Sequence, residues 1–357
     1  MALYFALPSP ALSITLPTAD RRIRWELRTD RSPPDGLFPR CRNMRVCAVL
    51  RRSADYKPSI WSNNYIQSLT SFEATERDAK RLDELKEEVG RMINEETMAV
   101  DKLEVIDALQ QLGIGYHFEN EIKYALDSIF SKLDYIRMEM KDNAYAIALL
   151  FRLLRGHGFR VSQVEGEDTL NEARNFTIRH LNNFLLDSSN DNHKLRDYVA
   201  RALEQPLHWR MERLHTRWFI NAYEKEEEMR PLLLEFAKLD FNVVQNMYKR
   251  ELKDMSRWWS HLGLSEKLPF SRDRLTENHL WTVGWAFEPK LSTFRLGQTQ
   301  ANSFITAIDD IYDIYGSLDE LELFTKAVDR SHSRRSRSLP GLSGNLAAVV
   351  DAFSTLQ

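Results

Sequence analysis

The chain has 357 residues, 43 % of them hydrophobic and 28 % charged, with a formal net charge of −3. That length supports one large or two ordinary domains with a sizeable core, and the composition is that of a soluble globular protein. The near-balanced charge gives no case for nucleic acid as a partner, and no apolar run approaches the ~20 residues needed for a membrane span.

Residues 1–50 differ from everything after them: eight arginines and no lysine, six of the twelve prolines, and both cysteines, Cys41 and Cys47. Such a composition resists a packed core and matches an organelle transit peptide, with plastid import favoured. Its removal leaves a chain without cysteine, which excludes a disulfide framework. Arg51-Arg52, followed after eight residues by Trp61, is the next landmark.

No proline occurs between Pro58 and Pro206, which is expected of a helical region. Val100, Leu103, Ile106 and Leu109 form one apolar stripe, and Ile122, Leu126, Ile129, Phe130 and Leu133 another, each at helical spacing. No alternating run requires a sheet and no fixed-period repeat is present. The fold expected is all-α. The charge run Glu224–Glu228 ahead of Pro231 and a fresh apolar pattern predicts a domain boundary at 228/229.

Farther on, Phe304, Ile305, Ile308, Ile311 and Tyr312 recur at three- and four-residue steps, which predicts a helix through Asp309-Asp310-Ile311-Tyr312-Asp313. On that helix Asp309 and Asp313 share a face, with Asp310 beside them. Three carboxylates on a half-apolar helix are costly to bury without a cation. Hard divalent ions such as Mg²⁺ accept carboxylate oxygens and complete their shell with water and substrate phosphates.

Several further segments accompany the aspartates: Gly113-Ile114-Gly115-Tyr116-His117-Phe118, His208-Trp209-Arg210-Met211-Glu212-Arg213-Leu214, Arg272-Asp273-Arg274, Trp281-Thr282-Val283-Gly284 and Tyr315-Gly316-Ser317-Leu318-Asp319-Glu320-Leu321. Together with Arg51-Arg52 and Trp61 they resemble the plant terpene synthases of the angiosperm monoterpene type, from about Arg51 to Arg330. The resemblance implies an N-terminal helical domain over 51–228 and the first part of a metal-binding α-barrel over 229–330. It also implies that a helix or two is missing near 163–165, where Val161-Ser162-Gln163-Val164 joins two sections that the family separates. The family's second metal motif has no match, and Ser331–Gln357 is expected to be an aberrant, disordered tail. With half a barrel, Phe304, Ile308 and Ile311 are expected to be partly exposed.

The chemistry implied is metal-dependent loss of diphosphate from geranyl diphosphate, giving a cyclic or acyclic monoterpene. Asp309, Asp310 and Asp313 would hold Mg²⁺ or Mn²⁺, with Asp310 acting directly or by orienting its neighbours. Arg272 and Arg274 would meet the diphosphate. Trp281 would face the carbocation, Asn302 and Tyr312 would contribute to the wall, and Arg51, Arg52 and Trp61 would form a lid. Trp258, Trp259 and Trp285 are assigned to packing. The partner expected is a prenyl diphosphate taken up by a monomer in the chloroplast stroma. The competing readings are a non-catalytic helical isoform that binds diphosphate or a partner, and a sesquiterpene synthase fragment using farnesyl diphosphate. Lacking the second motif, the chain as it stands is expected not to turn over.

Overall fold

The computed structural model describes residues 54–70, 76–161, 167–187, 192–331 and 344–354. The expected transit segment 1–50, Arg51, Arg52 and the junction at 163–165 lie outside the described residues. All regular structure among those described is helical, as the stripes and the proline gap predict, and no helix is long and apolar enough to cross a membrane.

The first helices are α1 (Asn63–Ser68), α2 (Glu76–Glu95), α3 (Ala99–Gln111), α4 (Glu119–Ser131), α5 (Leu133–Glu139) and α6 (Ala144–Gly156). Ser62 caps α1 by accepting from the Tyr65 amide, and Asn143 caps α6 by accepting from the Ala146 amide. The predicted stripes are the buried faces of α3 and α4: Leu103, Ile106 and Leu109 meet Ile122, Leu126 and Ile129 in the first core. Next come α7 (Glu167–Leu186), α8 (His193–Glu204) and α9 (Glu212–Tyr223). None of Glu172–Leu186 in α7 is buried, and Phe176 is 56 % exposed. The helix that follows the 163–165 junction is thus covered only in part, by α8, whose Arg196 donates to the carbonyls of Phe184 (3.3 Å) and Leu185 (2.6 Å).

The longest helix is α10 (Pro231–Leu262), 32 residues with Pro231 in its first turn and Gly263 ending it in the left-handed region at φ 62°. The 228/229 boundary expected from the charge run falls just ahead of this helix. Its N-terminal half contributes Leu233, Leu234, Phe236 and Ala237 to the first core, and its C-terminal half gives Met255 and Trp259 to the second.

The remainder is α11 (Leu264–Lys267), α12 (Leu275–Trp285), α13 (Ser292–Asp310), α14 (Leu318–Ser331) and α15 (Gly344–Ser354). Over 344–354 the last of these departs from the expectation of a disordered tail. Leu346, Val349 and Ala352, three residues apart, are buried in the second core beside Phe304, Ile311 and Phe324. Two of the three residues expected to be partly exposed, Phe304 and Ile311, are therefore fully covered, and only Ile308 is partly exposed. Trp259 packs as expected and Trp258 lies against the same core, but Trp285 is 61 % exposed and does not pack.

A buried charge pair fastens α10, α12 and α13. Arg295 donates to Glu251 through Nε (2.9 Å) and Nη2 (2.7 Å), and through Nη1 to the carbonyls of Ala286 and Glu288 (2.6 Å each). Its guanidinium lies over the Tyr248 ring at 5.0 Å. With every nitrogen occupied, the desolvation cost of burying the pair is offset where it fixes three helices in one register.

Candidate functional site

The aspartates sit where α13 gives way to a single π turn, Ile311–Tyr315. The Gly316 amide closes that turn onto the Ile311 carbonyl at 2.8 Å. Gly316 is required there, because a Cβ would lie 2.4 Å from the Leu321 side chain and 3.1 Å from the Ile311 oxygen. Wide turns of this kind inside α-helices occur often at functional positions.

Neighbouring positions on a helix differ by about 100°, so Asp309 and Asp310 diverge. Asp309 and Asp313 are exposed, and no hydrogen bond or ion pair to either is present among the described residues. Asp310 is buried. It accepts from the Arg272 Nε (2.9 Å to Oδ1), from the Arg272 backbone amide (2.6 Å to Oδ2) and from the Ser271 hydroxyl (3.1 Å to Oδ2). The Arg272 Nη2 completes the ion pair at 2.8 Å, and this hydrogen bonding raises the arginine's pKa further. Both oxygens of Asp310 are thus taken. The direct metal-ligand role expected for it does not fit this arrangement, and the orienting role does. No group of three or more potential metal-ligating side chains is assembled among the described residues. Two unpartnered carboxylates one turn apart fit a hard divalent ion that takes its other donors from water and a phosphate.

The arginines are held from a second direction, by a segment the sequence reading did not include. The Tyr56 ring lies under the Arg272 guanidinium at 5.0 Å, and the Lys57 carbonyl accepts from the Arg274 Nη2 at 3.0 Å. Asn63 and Gln67 of α1 tie this segment to α10 by accepting from the Ser256 hydroxyl (2.7 Å) and donating to the Lys253 carbonyl (3.0 Å). The strap continues through Trp61, which does not reach the aspartates but packs at a tilt against Tyr65 and lines a cavity beside α9 and α12.

The other expected residues are less enclosed. Trp281 lies on α12 and is 60 % exposed. Asn302 accepts from Gln298 (3.0 Å), while its Nδ2 is buried without a hydrogen bond among the described residues. Tyr312 pairs its hydroxyl with that of Thr325 at 2.6 Å. Arg272 and Asp310 are therefore brought together, Arg274 joins them through the strap, and Trp281 stays open.

Against known proteins, residues 60–165 match the profile "Terpene synthase, N-terminal domain", and residues 260–354 match "Terpene synthase family, metal binding domain". The second match runs through α15, in keeping with its place in the second core. The chain is 48 % identical to "Monoterpene synthase 8, chloroplastic" of Hedychium coronarium over 325 residues, covering 78 % of this chain and 55 % of the relative. Because 78 % of this chain amounts to fewer than 325 residues, that relative carries residues with no counterpart here. A solved limonene synthase with 2-fluorolinalyl diphosphate superposes with a TM-score of 0.76 at 34 % identity, covering 86 % of this chain and 62 % of that one. Isoprene synthase from Populus x canescens, with three Mg²⁺ ions and dimethylallyl-S-thiolodiphosphate, gives 0.71 at 37 % identity, covering 84 % and 61 %. The chain belongs to the terpene synthase family. It spans about half the length of the curated relatives it matches.

Proposed function

We propose that this chain carries the first diphosphate-contacting half-site of a monoterpene synthase that acts on geranyl diphosphate in the plastid. The observation that carries the reading is the Arg272–Asp310 pair, which holds a guanidinium against the helix that bears Asp309 and Asp313 and within electrostatic reach of Asp309. The domain organisation proposed is an N-terminal helical region over 51–228 followed by the metal-binding region. The similarity to chloroplastic monoterpene synthases favours geranyl over farnesyl diphosphate.

Ionisation breaks the carbon–oxygen bond and sends its electron pair to the diphosphate, leaving an allylic cation. Asp309 and Asp313 are the residues that would hold Mg²⁺ or Mn²⁺, which supplies Lewis-acid stabilisation of the departing oxygens. Arg272 presents Nη1, its one nitrogen not occupied by Asp310, to an oxygen whose charge grows as the bond breaks. Asp310 and Tyr56 fix the plane of that guanidinium so that little reorganisation accompanies the charge movement. Arg274, anchored to the Lys57 carbonyl, adds a second permanent positive charge on the same side.

The test is calorimetric binding of geranyl S-thiolodiphosphate, which resists ionisation, in the presence of Mg²⁺. Saturable binding that weakens at least tenfold in Asp309→Asn and in Arg272→Gln is expected. Unchanged affinity in both variants would refute the assignment.

A further inference from the structure

Between α9 and α10 lies a group of buried polar side chains that takes no part in the diphosphate site. Arg213 and Thr216 of α9 and Asp240 of α10 are each 3 % exposed or less. Asp240 Oδ1 accepts from the Tyr116 hydroxyl (2.6 Å) and pairs with His117 Nε2 (2.9 Å). Its Oδ2, the Thr216 hydroxyl and the three guanidinium nitrogens of Arg213 are closed to solvent and have no hydrogen bond among the described residues. The Phe241 ring covers the guanidinium face at 4.7 Å. Polar groups left unpaired in a dry interior are costly, charged ones most of all, and native proteins rarely carry several at one place.

Three of these atoms converge. Arg213 Nη1 is 3.9 Å from Asp240 Oδ2, too far for a hydrogen bond and close enough for one molecule to touch both. A Cβ on Gly113, just past the end of α3, would lie 3.1 Å from the same Nη1 and 2.5 Å from Thr216 Oγ1. The two atoms therefore border the space that a glycine leaves open. Gly113 also has φ 70°, a backbone that favours glycine in its own right. The charges at this corner select its occupant. A cation is repelled by Arg213 and an anion by Asp240, so a neutral molecule fits best. To lie about 3 Å from all three atoms it must be a single heavy atom that both donates and accepts. Water meets those demands, and internal waters make about three such bonds.

We infer that at least one internal water binds at this corner, accepting from Arg213 Nη1, donating to Asp240 Oδ2 and sharing a hydrogen bond with the Thr216 hydroxyl. Such a water ties α9 to α10 and, through Asp240, to Tyr116 and His117. The Tyr116 ring in turn meets Phe287 edge-on at 5.9 Å, in the segment between α12 and α13. The hydrated group thus sits at a joint between the first core and the helices that carry the candidate site. The inference rests on the buried atoms alone and does not need the diphosphate site to function.

A crystal structure of the full chain, at a resolution that shows ordered water, tests the site directly. Density is expected within about 3.2 Å of both Arg213 Nη1 and Asp240 Oδ2. A direct Arg213–Asp240 hydrogen bond with no density at the corner would overturn the inference. A double-mutant cycle on Thr216→Val and Asp240→Asn tests it in solution. No hydrogen bond joins these two side chains, yet each substitution disables the same water. The unfolding equilibrium constant of the double variant should therefore depart at least fivefold from the product of the single effects. Agreement with that product to within about twofold would show that the two residues share no water, and would equally overturn it.

Discussion

Arg272 and Asp310, 38 positions apart in the chain, share four polar contacts between 2.6 and 3.2 Å, one of them from the Arg272 backbone amide. A side chain bound through both its backbone and its guanidinium cannot turn away without breaking the loop that precedes α12. The pair thus sets the position of an entire segment.

Removing one partner of that pair should cost stability. Asp310→Asn is expected to destabilise the chain by about 2 kcal/mol, below the usual figure for a buried pair because Arg272 keeps some access to water. Asp309→Asn and Asp313→Asn, both exposed and unpartnered, should stay within about 0.5 kcal/mol of the parent. Urea unfolding midpoints separate the two outcomes; equal losses at all three positions would contradict the division of roles.

Metal binding should divide the aspartates the other way. In a Mn²⁺ titration followed by electron paramagnetic resonance, Asp309→Asn and Asp313→Asn are each expected to weaken binding tenfold or more, and Asp310→Asn much less. The greatest loss at Asp310 would show that its carboxylate leaves Arg272 to become a ligand.

The burial of Leu346 and Val349 implies that α15 is part of the second core. Leu346→Ala should lower stability by about 2–4 kcal/mol, the range for truncating a fully buried leucine. A change under about 0.5 kcal/mol by chemical denaturation would mean that the helix is not docked in solution.

His215 gives the protein a sensitivity to acid. Burial first, and then the neighbouring Arg210 and Arg201 charges, push its pKa down to about 4. Its Nδ1 accepts from Arg210 (3.3 Å) and its Nε2 donates to Gln111 (3.1 Å), so an added proton has no acceptor. The unfolded chain binds that proton more readily, so the contribution is complete above the ordinary value near 6.5. It is lost as pH falls from there to about 4. Linkage sets the loss at roughly 3 kcal/mol at most. Thermal melts at pH 7.5 and 4.5 should show a smaller drop for His215→Gln than for the parent.

Glu251 and Arg295 test whether their pair is structural. Glu251→Ala leaves an uncompensated buried guanidinium and should cost about 3–5 kcal/mol, while Glu251→Met/Arg295→Met should recover much of that loss. A double variant no better than the single one would assign the pair a role beyond charge compensation.

The all-α class, the two stripes of the first core and the closeness of Arg272 to the aspartates were legible in the sequence, because each rests on helical spacing or on a family motif. Between the two roles open to Asp310, direct or orienting, the sequence could not choose, since adjacent residues part company only when the helix face toward α12 is known. The tail misled for another reason: its serine and arginine content pointed to disorder, and Leu346, Val349 and Ala352 at three-residue steps went unread. At the start of α14 the Ser317 amide and hydroxyl both donate to Glu320 Oε2 (3.1 and 3.0 Å), the glutamate half of a capping box. That signal was readable in Ser-x-x-Glu. The Glu251–Arg295 pair, 44 residues apart, left no local trace, and Tyr56 gained meaning only from the strap's path.

Because α10 lends its first half to one core and its second half to the other, the seam at which the chain could be recombined lies inside that helix. The first core draws on residues up to Phe241 and the second on residues from Met255 onward. A chimera with a relative that crossed over between them would leave each core its own neighbours and disturb only the small cluster of Val244, Tyr248 and Val283. Exchange at either end of the helix would instead confront one core with a stripe selected for different neighbours.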